Sequence, residues 1–250
     1  LRLLLAHTNP VIMCLQESHM PVQLPAPLRG FKMYHKAGPP GADGLDHGGT
    51  CILVKNSVGH VPLALNTTLQ ATAIRCHLDR QYTVCSLYLP PNTDICSEQL
   101  EDLIHQLPPP FLILGDLNAR NPLWGDTVVN GKGMIIEALL GTGICGILNQ
   151  PLPTHFHLAT NSLTCVDLSL CSPDVISSFD WTVSDDLYNS DHFPVKISIP
   201  TQAPHCTSIQ YKFDKADWAC FNQHANCKRS ADSFQTIDEA VDYFNEIILA

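Results

Sequence analysis

Residues whose side chains can bind a metal or move a proton stand where apolar runs end. They are Glu17 after "IMCLQ", Tyr88 in "SLYLPPN", Asp116 and Asn118 in "FLILGDLN", Asp167 in "VDLSL", and Asp191 with His192 in "NSDH". Ligands of α/β sheets gather beyond the ends of strands, so groups placed there converge on one cleft. Carboxylates are hard oxygen donors suited to Mg²⁺ or Mn²⁺. A histidine beside them adds a general acid or base and a donor for a developing oxyanion. A metal, an acid-base pair and a neutral amide are the parts needed for metal-assisted attack of water on a phosphodiester. Singly, each residue has a structural use: an Asp after a strand forms turns or caps helices, and a strand tyrosine packs. Asp167 is the exception, because a carboxylate inside an apolar strand needs a partner or a metal. Asp94, Asp126, Asp174, Asp185 and Asp186 are read as solvated loop or capping acids.

These groups need strands to carry them. "VIMCLQE", residues 11 to 17, reads as a buried strand, and the stretch from Pro21 to Gly49 reads as loop. "TCILVKN" is a second strand. Ile74, Cys76 and Leu78, then Tyr82, Val84, Ser86 and Tyr88, alternate about a turn at Asp79 and Arg80, which predicts an antiparallel hairpin ended by Pro90 and Pro91. A helix follows with Ser97 as N-cap and Leu100, Leu103, Ile104 and Leu107 on its apolar face. "FLILGD" is a strand, "GKGMIIEALLGTG" a helix closed by Gly141 or Gly143, and "LTCVDLSLCSP", "DWTVS" and "FPVKISIP" are short strands. Hairpins and crossovers together indicate a mixed α/β sandwich.

The ordered set "LQES", "LYLPPN", "GDLNARNPLWGD", "VDLSL" and "NSDH" resembles the endonuclease/exonuclease/phosphatase superfamily. "GDLNA" with "NPLWGD", "GGTCILV" and "SLTCVDLSLCSP" resemble its apurinic-type endonuclease domain in non-LTR, LINE-like retrotransposons of the jockey-like group. The resemblance covers residues 1 to 200. It implies a DNase I-like fold, a four-layer α/β sandwich of two mixed sheets flanked by helices. It also implies an Mg²⁺- or Mn²⁺-dependent endonuclease that nicks DNA and leaves a 3′-hydroxyl to prime a fused reverse transcriptase, inside the cell and in the nucleus. Glu17 would be the principal metal ligand, with Asp191 near the metal. Asp116 would orient or deprotonate water, and Asn118 would hold the phosphate or that water. His192, oriented by Asp167, would stabilise the transition state or protonate the leaving oxygen. Tyr88, Thr154 and Ser190 would contact the phosphate, and Arg120 and Lys132 would line the groove. In the family a strand bearing an "N-x-N-G"-like Asn precedes the region matching "LRLLLAHTNP", so this chain is expected to lack a core strand and a ligand. The alternatives are a repair endonuclease or other phosphoesterase of the superfamily, or an inactive truncated remnant.

At 250 residues, 45% hydrophobic and 15% charged, the chain can bury a large core. No run of about eighteen apolar residues suggests a membrane span. Eleven cysteines, an odd number set mostly in apolar runs, indicate free buried thiols, with zinc at Cys206, Cys220, His224 and Cys227 the weaker reading. A net charge of −10 opposes DNA binding unless metal reverses it locally. Beyond residue 200, a connector "TQAPHCTSIQYKF" and an amphipathic helix with Phe234, Ile237, Ala240, Val241 and Phe244 on one face form a tail, residues 201 to 250, expected to lead to a reverse transcriptase domain.

Overall fold

Period-two burial in the centre of the chain builds a six-stranded sheet that presents different residues to its two sides. Its strands are β4 (His60–Leu63), β5 (Gln70–His77), β6 (Gln81–Tyr88), β7 (Phe111–Asp116), β8 (Gly146–Ile147) and β11 (Asp167–Cys171), in the order β4-β5-β6-β7-β11-β8. All pairs are antiparallel except β6 with β7. The computed structural model describes residues 1–20, 28–40 and 47–200, together with Thr236, Glu239 and Tyr243. The connector, the Cys206, Cys220, His224 and Cys227 group and the apolar face of the expected C-terminal helix lie outside the described residues.

On one side of the sheet Cys85, Leu87, Phe111, Ile113, Leu168 and Leu170 pack against helix α2 (Ser97–His105) and helix α3 (Gly131–Gly141) through Leu100, Leu103, Ile104, Ile136 and Leu139. On the other, Ile74, Val84, Leu112 and Cys171 meet Ile52 and Val54 of a three-stranded sheet and Trp181 of a two-stranded one. The three-stranded sheet holds β1 (Ile12–Gln16), β2 (Phe31–Lys36) and β3 (Thr50–Lys55) in the order β1-β3-β2. The two-stranded sheet joins β12 (Asp180–Val183) to β13 (Val195–Ser198). The described residues up to 200 form a DNase I-like α/β sandwich. Helix α1 (Arg2–Thr8) contributes no buried residue, and among the described residues no helix is long and apolar enough to cross a membrane.

Several sequence expectations change. β1 is half-buried rather than buried, because it lies at the edge of its sheet with β3 alone beside it among the described strands. β2 falls inside the stretch read as loop; its Phe31–Lys36 run is flanked by prolines and glycines that masked a genuine alternation partner for β3. The run "LTCVDLSLCSP" is two strands, β10 (Ser162–Thr164) and β11, broken at Cys165 and Val166. The former pairs with β9 (His155–His157) in a separate hairpin. Cys96, not Ser97, is the N-cap of α2, and Gln99 Oε1 accepts its backbone N–H at 3.0 Å. Every described cysteine is a free thiol; burial pushes Cys51 and Cys85 up to about 12.

Candidate active site

The sheet register puts three polar side chains in one row. Asp167 pairs with Asp116 across β11 and β7, and Leu89 N donates to Asp116 O at 3.0 Å, which sets Tyr88 beside Asp116 at the end of parallel β6. Alternation from Val84, Leu112 and Cys171 assigns Tyr88, Asp116 and Asp167 to the face that meets the smaller sheets. Gly115, behind this row, has no room for a side chain: a Cβ there would lie 1.7 Å from Leu87 O.

Glu17 comes to the row from the opposing sheet. Just before it, Gln16 Nε2 donates to Ser86 Oγ at 2.9 Å and to Leu114 O at 3.3 Å, and Ser86 Oγ donates to Leu15 O at 3.2 Å. These bonds pin the end of β1 to β6 and β7. Glu17 then adopts a left-handed backbone (φ 47°) and accepts a hydrogen bond from the Tyr88 hydroxyl. Glycines at 48 and 49 allow this close approach, with φ of 78° and 84°; a Cβ on Gly48 would come within 2.9 Å of the Tyr88 ring. Asn118 is also left-handed (φ 49°). Such backbones cost of order 1 kcal/mol each and persist where surrounding bonds over-determine them.

Those bonds are plain at Asn118. Its N–H donates to Asp116 Oδ1 at 3.0 Å, while Nδ2 donates to Asp116 Oδ2 at 2.9 Å and to Leu89 O at 3.2 Å. Asn130, the N-cap of α3, donates to Asn118 O at 2.8 Å and accepts from Arg120 N and Gly133 N. The "NPLWGD" segment folds beneath: Asn121 caps a 3-10 turn, the fully buried Trp124 donates to Ala119 O at 3.1 Å, and Gly125 reverses the chain at φ 92°. Asp116 is 5% exposed. Burial, then the charges of Asp167 and Glu17, push its carboxyl up to about 7, against the opposing pull of His192 and the Asn118 N–H.

His192 donates from Nδ1 to Asp167 Oδ2 at 2.8 Å. Burial disfavours its charge, but the hydrogen bond and charge of Asp167, with Asp116 and Asp191, outweigh that and bring it up to about 9. Asp167 is itself steadied by Asn149, which donates to its carbonyl at 2.9 Å and accepts from Ser169 N. Burial and the neighbouring Glu17 push the Tyr88 phenol upward, so it stays a proton donor.

The other expected residues have partners of their own. Thr154 is wholly buried, and its hydroxyl accepts from Val166 N at 3.2 Å and Asp167 N at 3.1 Å, holding the start of β11 from below. Ser190 Oγ accepts from His192 N in a local turn. Lys132 does not line a groove: it is 7% exposed and donates to Pro90 O and Pro91 O, tying down the loop after β6. Asp126 is no solvated acid. It is buried, pairs with Arg120 at 2.9 Å, and accepts from Thr127, Val128 and Cys165 backbone N–H groups. Replacing Arg120 by alanine leaves that carboxylate buried without its cation, and the expected result is a stability loss of about 2–3 kcal/mol by urea denaturation. Unchanged stability in that variant would refute the structural role.

One histidine near the site escaped the sequence reading. His155, on β9, packs against His192 with ring centroids 4.6 Å apart and planes tilted by 51°. Its only signal was the spacing in "THFH". As for metal, Glu17 and Asp191 offer exposed carboxylate oxygens, and among the described residues no lysine or arginine forms an ion pair with Glu17, Asp116 or Asp167. Acids gathered with no lysine or arginine counterpart, where the charges of Asp167 and Glu17 help to raise the pKa of Asp116, are a donor set that fits a divalent cation.

The comparisons agree with this fold. In fold the chain is like the endonuclease domain of TRAS1, a telomere-specific non-LTR retrotransposon (TM-score 0.63, 22% identity, 79% of this chain and 88% of that one). It is also like an endonuclease/exonuclease/phosphatase family protein from Leptotrichia buccalis (TM-score 0.54, 11% identity, 78% and 89% covered). Residues 82–196 match a family model described as Endonuclease-reverse transcriptase. The chain therefore shares the fold of these endonuclease and endonuclease/exonuclease/phosphatase proteins. In sequence it is similar to RNA-directed DNA polymerases of mobile elements. It is 29% identical to a probable RNA-directed DNA polymerase from transposon BS of Drosophila melanogaster, over 86% of this chain and 25% of the relative. It is 26% identical to the RNA-directed DNA polymerase from mobile element jockey of the same fly, over 98% and 27%. The chain thus spans about a quarter of the length of these curated relatives.

Proposed function

We propose that this chain is a metal-dependent DNA endonuclease that nicks one strand and leaves a 3′-hydroxyl from which a reverse transcriptase, reached through the segment beyond residue 200, primes synthesis in the nucleus. The observation that carries the reading is the single row of Tyr88, Asp116 and Asp167, with Glu17 brought to one end and His192 bound to the other.

Glu17 and Asp191 would hold Mg²⁺ or Mn²⁺. When bound, the cation neutralises phosphate charge and offsets the repulsion among the acids. The chain's own groups do the rest. Asp116, with a pKa lifted to about 7, is matched to taking a proton from water near neutral pH. Both hydrogens of the Asn118 amide are committed to Leu89 O and Asp116, so Oδ1 is the part left to act, an acceptor that suits the attacking water better than a phosphate oxygen. Water oxygen bonds to phosphorus as the bond to the 3′ oxygen breaks. His192, held as an imidazolium by Asp167, stabilises the oxyanion or passes its proton to that leaving oxygen. Thr154 positions Asp167 rather than touching substrate, and Tyr88 orients Glu17. The binding of DNA by so acidic a chain is expected to be weak and salt-sensitive.

Supercoiled plasmid in Mg²⁺ tests this directly. Relaxed circles should accumulate, should be extendable by a polymerase without prior phosphatase treatment, and should vanish with EDTA. Nicking that persists in EDTA overturns the metal mechanism. Cleavage of an abasic duplex more than about 100-fold faster than intact DNA would favour the repair reading instead.

A further inference from the structure

The β9–β10 hairpin brings a second imidazole to His192 that no step above uses. His155 and His192 face each other in a short antiparallel bridge, closed by Phe156 N to Asp191 O and Phe193 N to Thr154 O, each 2.8 Å. Both rings are tethered through Nδ1, His155 to Thr164 Oγ1 at 2.9 Å and His192 to Asp167 Oδ2 at 2.8 Å. Nε2 is the nitrogen left available in each. Asp191 Oδ2 lies 3.9 Å from His155 Nε2, and one ligand atom from each of His155, Asp191 and His192 falls within 4.8 Å of the others.

We propose that His155, Asp191 and His192 form a site for a borderline transition cation of the Zn²⁺ class, and that filling it withdraws His192 from the phosphate. Two imidazoles and one carboxylate are donors that select Zn²⁺ over Mg²⁺, which prefers oxygen ligands and keeps its water. Three protein ligands leave a fourth tetrahedral position open. The Nδ1 tethers are the outer partners that fix the tautomer and orientation of ligating histidines. Ligands of tetrahedral zinc lie about 3.3 Å apart, so the set must contract. Asp191, whose side chain is 71% exposed, has the freedom to swing inward while the backbone bridge holds the two rings. Because Asp191 and His192 also belong to the site proposed for catalysis, zinc inhibits at concentrations far below those of Mg²⁺. This second half rests on the nuclease reading; the binding half does not.

The test uses the full chain stripped of metal with EDTA, then dialysed and titrated with Zn²⁺ by calorimetry, beside His155→Gln and His155→Phe, the latter keeping a ring against His192. Both variants should lose one zinc site or weaken it at least about tenfold. Both should nick plasmid in Mg²⁺ like the parent, yet tolerate at least about tenfold more zinc. Identical zinc titrations for the parent and both variants overturn the site. Zinc binding that differs as expected but leaves parental nicking untouched keeps the site and overturns the withdrawal of His192. A parent that never nicks counts against the nuclease reading alone, and the calorimetry still decides the site.

Discussion

His192→Ala should lower plasmid nicking in Mg²⁺ by about three orders of magnitude, with little change in DNA affinity. A positioned acid is worth about 10²–10⁴ in rate, and a donor aimed at a developing oxyanion about 10²–10³; one side chain serves whichever of these the reaction uses. A variant retaining a tenth of parental activity would remove His192 from the chemistry. Asp167→Asn separates charge from mere position, since the amide keeps the shape of the partner and loses its charge. The raised pKa of His192, about 9 against an ordinary 6.5, depends on the Asp167 carboxylate, so the variant's imidazole should titrate well below the parent's in an NMR experiment on metal-free protein. The alkaline limb of kcat/KM should move down with it. Because the folded value is raised, the stability that this pair contributes is full below about 6.5 and fades as pH rises through about 9. An unmoved alkaline limb would mean that Asp167 holds the ring without holding its proton.

How far the sequence could be read follows from the reach of each interaction. Strand ends were legible because "FLILGD" and "YTVCSLYLPPN" carry their own alternation and stop signals, and the side chains at those ends inherit a common side of the sheet from period-two geometry. The pairing of Asp167 with His192 spans 25 residues, so no local pattern encodes it; the resemblance supplied it. Charge misled in both directions. Lys132 and Asp126 look like surface residues by type, yet one satisfies the carbonyls of a proline loop and the other closes three backbone donors and an arginine. Burial of such groups depends on partners distant in sequence, which composition cannot reveal. β2 was hidden for a simpler reason: glycines and prolines flank it closely, and its pairing with β3 is a tertiary fact. Cys96 displaced Ser97 as cap by one position, within the usual uncertainty of helix ends.

Asp116→Asn should abolish nicking while making the metal-free protein more stable at alkaline pH. The carboxyl at 116 is buried, lies opposite Asp167 and feels Glu17, so its pKa rises to about 7 from 3.8. A raised carboxyl pKa contributes stability only while the group keeps its proton. The contribution is full below about 3.8 and lost as pH rises through about 7, so at pH 8 the folded chain carries an ionised group that the unfolded chain would tolerate better. The amide removes that burden. It also loses one hydrogen bond, because Asn118 donates to both oxygens of the carboxylate and an amide has one. The net expected gain is on the order of 2 kcal/mol at pH 8, shrinking toward pH 5, measured by urea denaturation in EDTA. Mg²⁺ should narrow the gap by compensating the acids of the parent. Equal stability of parent and variant at both pH values would show that Asp116 is not held against its preference. The expected pattern would instead identify the acid row as a place where the fold stores repulsion that a cation relieves, with Asp116 near neutrality and able to act as a base.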